Sequence, residues 1–233
     1  MRRTFFTIAV GVLVCFVFST SLSGQQTTGT SSQASLYLQR SYSQLVGNAS
    51  IADVSLTGSV RRVAGSDDES GSATFKALSS GAARSDLSLS SGTMSEIYTS
   101  ASSNPAGSWS GPDGTSHAVP FHNLLSEPAW FFPTFAISRR LADGYIVTDL
   151  GSETYQGQQV EHISVTQNSL SLSSANAALF QHLAQVDFFL DSTTLLPAAI
   201  SFNIHPDNNS LFLDVQIQSV VVNSGLSATS FSL

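Results

Sequence analysis

The sequence predicts a mainly β (α+β) fold built on one long antiparallel sheet of about ten or eleven strands, with helical segments added to it. Three observations lead there. Apolar and polar residues alternate in short runs along most of the chain, and a period of two is that of a half-buried strand. The runs are separated by Ser-, Gly- and Asp-containing turns of a few residues. Such short connections suit antiparallel neighbours, because parallel ones need crossovers of a dozen residues or more. A helical period shows most clearly in one early segment, where Leu38, Tyr42 and Leu45 are spaced by four and three.

Ahead of that segment, Arg2 and Arg3 precede an unbroken apolar run from Phe5 to Phe18, followed by the small polar residues Ser19 to Gly24. This is the order of a secretory signal peptide, with Ser21 and Ser23 at the small-residue positions of a cleavage site, so residues 1–23 are expected to be removed. The apolar run would rise only about 21 Å as a helix, short of the roughly 30 Å hydrocarbon core, which argues against a permanent span. Residues 24–34 are rich in Gln, Thr, Ser and Gly and read as a flexible leader to a domain over 35–233.

The helix, Ser35 to Val46, ends at Gly47-Asn48, since both residues tolerate the left-handed conformation that stops helices. It is marginal alone and should lie on the sheet. Four strands follow: from Asp53, where Val54, Leu56, Gly58 and Val60 alternate with Ser55, Thr57, Ser59 and Arg61, then Ser72 to Leu78, Ala82 to Leu89 and Thr93 to Thr99. Gly65 to Gly71, containing Asp67-Asp68-Glu69, reads as an exposed acidic hairpin loop, and Ser79-Ser80-Gly81 and Ser90-Ser91-Gly92 as turns. Ser100 to Gly107 reads as a loop, and Gly111-Pro112-Asp113-Gly114 as a tight turn after Trp109. Strands resume at Tyr145 to Leu150 and Gln158 to Thr166, around a turn at Tyr155-Gln156-Gly157. A serine-rich linker, Asn168 to Gln185, runs into a helical stretch at Ala175 to Leu183. Val186 to Leu190, Ala198 to Ile204 and Leu211 to Val222 complete the strands, and the absence of an internal repeat argues against propellers and solenoids.

One segment breaks the alternation. Pro128-Ala129-Trp130-Phe131-Phe132-Pro133 concentrates aromatics between two prolines, which argues for a helix start or a structured insert rather than a strand. Trp130, Phe131, Phe132 and Phe135 are therefore the candidate ligand-binding residues. Either they plug the open side of the sheet as core, or they line an apolar cavity of the kind ligand sites are made from.

The order of amphipathic helix, long meander, apolar insert and second set of strands resembles the periplasmic lipoprotein-carrier (LolA-like) superfamily. Leu150 to Ile163, with its turn centred on Gly157, is similar to a hairpin of that family. Asp191, Thr194, Leu196 and Pro197 match its Asp-x-x-Thr-x-Leu-Pro hairpin. The Trp-Phe-Phe-Pro segment also resembles segments of exported bacterial proteins. The resemblance covers roughly Ser35 to the C-terminus. It implies a strongly curved antiparallel sheet or incomplete barrel, with helices over its concave side enclosing a cavity for acyl chains or a lipidated partner. Arg61, Arg62, Arg139 and Arg140 match no family motif and receive no role from it.

Composition narrows the chemistry. Of 233 residues only 11% are charged, 43 are serine and one is lysine. Without Arg2 and Arg3 the chain carries seven basic and 16 acidic residues, net −9, which repels phosphate backbones and anionic membranes, so nucleic acid is excluded as a partner. Cys15 lies within the signal segment, and the exported chain accordingly has no disulfide, thiolate nucleophile or cysteine metal site. No later run of about 18 apolar residues supplies a membrane span. His117, His122, His162, His182 and His205 are dispersed without paired ligand spacing, and Gly-x-Ser-x-Gly is absent, so no metal, cofactor or catalytic residue is assigned.

The functional expectation is a periplasmic or secreted, non-enzymatic protein that binds a lipid, a lipidated protein or another apolar small molecule in a curved-sheet cavity. A structural or protein-binding envelope module with a self-filled core is the alternative, and an envelope hydrolase a third. A chain of about 210 residues buries roughly 70% of its unfolded surface, enough to fold without metal, disulfide or cofactor. The thermal midpoint should therefore be unchanged by chelator and by reductant. A large drop with chelator would contradict the reading.

Overall fold

The computed structural model describes residues 31–80, 82–99, 106–118, 145–167, 185–204 and 211–232. Among them are one α-helix, α1 (Ser32–Val46), and eleven strands. The first six are β1 (Asp53–Ala64), β2 (Asp67–Leu78), β3 (Ala83–Leu89), β4 (Gly92–Thr99), β5 (Ala106–Ser110) and β6 (Ser116–Ala118). The rest are β7 (Tyr145–Tyr155), β8 (Gln158–Gln167), β9 (Gln185–Asp191), β10 (Pro197–Ile204) and β11 (Leu211–Val222). All belong to one open sheet in the order β6-β5-β4-β3-β2-β1-β11-β10-β9-β8-β7. Every pairing is antiparallel. Two meanders thus run side by side, joined at the centre where β1 pairs with β11.

Sheets this wide curl rather than stay flat, and two glycines permit the curl here. A Cβ at Gly58 would lie 2.1 Å from the Gln216 carbonyl oxygen, beside the register shift between Thr57 and Gly58. A Cβ at Gly71 would lie 1.8 Å from the Ser88 oxygen. Side chains are excluded where adjacent strands close in this tightly.

One face carries the core. Val54, Leu56 and Val60 of β1 join Phe75 of β2, Leu87 of β3 and Tyr98 of β4 on one side. Val215 of β11, Phe202 of β10, Phe188 of β9, Ile163 of β8 and Val147 of β7 join them on the other. The helix lies on β7 and β11. Its buried residues are Ala34, Leu38 and Ser41, whereas Tyr42 and Leu45 of the expected apolar face are only half-buried. The stripe is rotated toward small side chains, which bring the helix close to the sheet. The helix also begins at Ser32 rather than Ser35, because the Ser31 hydroxyl caps it by accepting from the Ala34 N–H.

The hairpin that carries the Asp-x-x-Thr-x-Leu-Pro motif has a local cause. One Asp191 carboxylate oxygen accepts from the Thr193 N–H, the Thr194 N–H and the Thr194 hydroxyl, while Leu195 takes φ 58°. Gln158 donates to the other oxygen. These bonds, that of Gln158 first, lower the Asp191 pKa to about 2.

Two other expectations change. The acidic loop Gly65 to Gly71 is a two-residue turn, Gly65-Ser66, and Asp67-Asp68-Glu69 belongs to β2. Arg61 and Arg62 on β1 draw Asp68 and Glu69 into strand pairing. The expected loop Ser100 to Gly107 yields its last residues to β5. Residues 1–30, Phe121 to Phe135 and Ala175 to Leu183 lie outside the described residues.

The opposite face holds a smaller cluster on the second meander, formed by Val160, Phe189 and Ala199 with Tyr155 and Ala198 packed against it. Tyr155 stacks on Phe189 at 3.7 Å between ring centroids, and its hydroxyl donates to Asp214 at 2.8 Å. Beside them, His162 Nδ1 lies 2.8 Å from Glu153 and Nε2 lies 3.4 Å from Asp187. The latter is an ion-pair contact without hydrogen-bond alignment. Burial alone would lower the His162 pKa, but Asp187 and then Glu153 raise it above the ordinary histidine value. Burial alone would raise Asp187, but its contact with His162 and the hydrogen bonds from Gln185 and Ser164 lower it.

The stabilisation from a raised histidine is complete below its unfolded value of about 6.5 and is lost as pH rises through the folded value. His162→Gln should cost about 2 kcal/mol at pH 6 and less at high pH, flattening the alkaline side of the stability profile. An imidazole titration by NMR midway at or below 6.5 would contradict this.

Candidate functional site

Trp130, Phe131, Phe132 and Phe135, the sequence-predicted ligand residues, lie outside the described residues, as do Arg139 and Arg140. What the structure places are the two faces of the sheet and a cavity at the rim of the core-bearing face.

The cavity, about 550 Å³, forms where three chain reversals meet: β1 to β2, β3 to β4 and β5 to β6. Met94, Trp109 and Pro112 supply its apolar wall. Arg62, Asp67, Asp68, Glu69 and Ser91 supply the polar one. Each position has a local reason. Arg62 follows Val60 by two residues and so projects on the core side, where it faces Glu69 across the β1–β2 ladder at 3.6 Å. Glu69 accepts from the Ser90 hydroxyl at 3.0 Å and the Ser91 N–H at 2.9 Å, tying the β3–β4 turn to the start of β2.

Gly92, at φ 132°, completes that turn. A Cβ there would sit 2.7 Å from Pro112, so its absence lets the β5–β6 turn close the wall. The Trp109 indole is stacked on His117 at 4.5 Å and braced by that neighbour.

Both carboxylates with perturbed acidity are strong acceptors. Glu69 lies below its ordinary value, through Ser91 first and against burial, with Ser90 and Arg62 adding to it. Asp68 is lowered by the two-pronged hydrogen bond from Arg61, at 2.9 and 2.6 Å. A general acid at neutral pH needs the opposite shift. His162 is held between the Glu153 and Asp187 carboxylates, and Ser201 hydrogen-bonds Tyr155 and Asp214 rather than the imidazole. Among the described residues this arrangement can bind and orient. No three metal-ligating side chains converge among them. Nor is any described helix long and apolar enough to cross a membrane.

Sequence reasoning identified Trp109, Arg62 and the acidic triplet separately and did not assemble them. The usable signal was the spacing of Arg61-Arg62 and Asp68-Glu69 about a two-residue turn, which places each arginine near a carboxylate in an antiparallel hairpin.

No protein-family model matches the chain, and no curated protein does. Among solved structures it is similar to a putative outer membrane lipoprotein-sorting protein domain from Vibrio parahaemolyticus, at 11% identity over 86% of this chain and 96% of that one, with a TM-score of 0.43. It is similar to a DUF1329 family protein from Desulfovibrio piger, at 10% identity over 88% and 98%, TM-score 0.44. A LolA superfamily protein from Nitrosomonas europaea, at 8% identity over 86% and 97% with a TM-score of 0.39, bears the family name that the sequence resembles. At these identities and scores the likeness carries neither ligand nor partner to this chain.

Proposed function

We propose that the chain is an exported, non-enzymatic binding protein that holds a lipid, or the acyl chain of a lipidated protein, against the core-bearing face of its curved sheet. The observation that supports this best is the width of that face. Its apolar stripe runs from β4 through β1 and β11 to β7, while α1 rests at the β7 and β11 side. Residues 119–144, which contain Trp130, Phe131, Phe132 and Phe135, join β6 to β7, the two edges of the sheet. The aromatic cluster therefore belongs to the connection between the open edges, and in this reading it lines the ligand.

A second reading has its own support. Phe75, Phe188 and Phe202 are no more than 2% exposed, as they would be in a module whose concavity is filled by the protein itself. The two readings part at Trp130. For a carrier, native mass spectrometry of the purified protein should show co-purifying acyl mass, and a dansyl fatty acid should bind saturably. Trp130→Ala should then weaken that binding about tenfold, or 1.4 kcal/mol, with a small loss of stability. No acyl mass and no saturable binding by the wild type, together with a loss of about 3 to 5 kcal/mol in Trp130→Ala, would eliminate the carrier reading.

A further inference from the structure

We propose that the rim cavity is a carbohydrate site that takes a neutral pyranose ring, separately from any apolar ligand on the sheet. At about 550 Å³ it falls within the range of small-molecule sites, roughly 300 to 1,000 Å³. Its lining is divided. One wall is the indole of Trp109 with Met94 and Pro112, flat and apolar, and the other carries charged and hydroxyl groups. A pyranose has the same division, with a face of C–H bonds and an equator of hydroxyls that each donate and accept.

Charge and hydrogen bonding select among the alternatives. An acyl chain would strand the polar wall: the Arg62 side chain is 18% exposed, its described partner is Glu69 at 3.6 Å, and desolvating it without a close acceptor is costly. An anion would gain Arg62 but meet Asp67, Asp68 and Glu69, and Arg61 is already committed to Asp68. A cation would meet the Arg62 guanidinium. A neutral polyol uses both signs: the Arg62 guanidinium donates, while the Asp67 carboxylate, exposed and without a side-chain hydrogen bond among the described residues, accepts. The turns that hold these groups are pinned before any ligand arrives, by Glu69 to Ser90 and Ser91 and by Pro112 against Gly92, so little ordering remains to be done on binding.

The sequence supplies a reporter, since Met1 and Met94 are its two methionines and Met94 lines the cavity. The purified protein carrying ¹³C-methyl methionine would be titrated with cellotriose, maltotriose and chitotriose, and separately with phosphate and with a dansyl fatty acid. At least one trisaccharide should shift the Met94 methyl saturably. Trp109→Ala and Arg62→Gln should each weaken that binding tenfold or more. Asp67→Ala, at an exposed position that leaves folding intact, should weaken it several-fold. Phosphate and the fatty acid should leave the methyl in place, whether or not the fatty acid binds elsewhere. A methyl unmoved by all three sugars would overturn the proposal. So would a shift produced by the fatty acid or by phosphate in place of the sugars, or sugar binding indifferent to Asp67→Ala.

Discussion

The pairing of β1 with β11 is the constraint on which the rest of the sheet depends. Each meander is locally connected and would form with short loops, but each alone would keep a free edge and half of an apolar face. Their union brings together strands from opposite ends of the folded chain, Val54 opposite Val222 and Ala64 opposite Leu211. Closing so long a loop is entropically unfavourable, though the cost grows only slowly with length, and the interactions formed across the seam must outweigh it. They take the form of a continuous ladder and of a lock at one end. Asp53, 3% exposed, accepts from the N–H and hydroxyl of Ser224 and from the N–H groups of Gly225 and Leu226. Asn223, at φ 56°, accepts from the Ala52 N–H and donates to the Ser50 carbonyl. Burial would raise the Asp53 pKa, but the hydrogen bonds of Ser224, Gly225 and Leu226 more than offset it, so the lock works as a carboxylate.

From the seam the chemistry divides by face. On the core side, alternation places Val54, Leu56 and Val60 against Phe75 and Val215, and the close approaches at Gly58 and Gly71 coil the sheet around them. On the other side the 3₁₀ turn Ala228–Phe231 lies on β3 and β4 of the first meander, with Phe231 buried and Arg84 donating to the Ser232 carbonyl. The second meander carries Tyr155, Phe189 and His162, an aromatic layer held by Asp214, Glu153 and Asp187. A face assembled from aromatic rings with charged partners tolerates water at its margin, which a purely aliphatic face would not.

What was legible in the sequence follows from the range of the interactions concerned. The strands of both meanders other than β5 and β6, the stop at Gly47 and the Asp191 turn depend on neighbours within a few residues, and alternation or turn chemistry exposes them. The acidic triplet misled because Asp67-Asp68-Glu69 has loop composition, while its strand pairing comes from arginines seven residues before Asp68 and Glu69. The helix face was offset because Ala34 is only weakly apolar and Ser41 is polar, and their burial reflects the packing of α1 on β7 rather than their own hydrophobicity. The His162 network joins Glu153 on β7 to Asp187 on β9 through one imidazole, and no spacing along the chain announces it. The rim cavity is the same case, since three reversals meet there only after the sheet has coiled.

This separation also bears on how one protein accommodates two kinds of surface. An acyl chain and a polar ring make opposite demands on a site, the first for a wall with nothing to desolvate and the second for paired donors and acceptors. Along β1 the change takes one step of the strand: Val60 belongs to the apolar stripe, and Arg62, two residues on and on the same face, belongs to the polar rim. The Arg62 and Glu69 pair therefore marks where the apolar face ends. Because Glu69 is fixed to the β3–β4 turn, that boundary is set by the same hydrogen bonds that shape the cavity. Moving the boundary inward by one alternation would put a charge at Val60, between Gly71 and the buried Val215, where neither water nor a counter-ion could reach it, so the polar site is confined to the rim by the core's own requirement to stay dry.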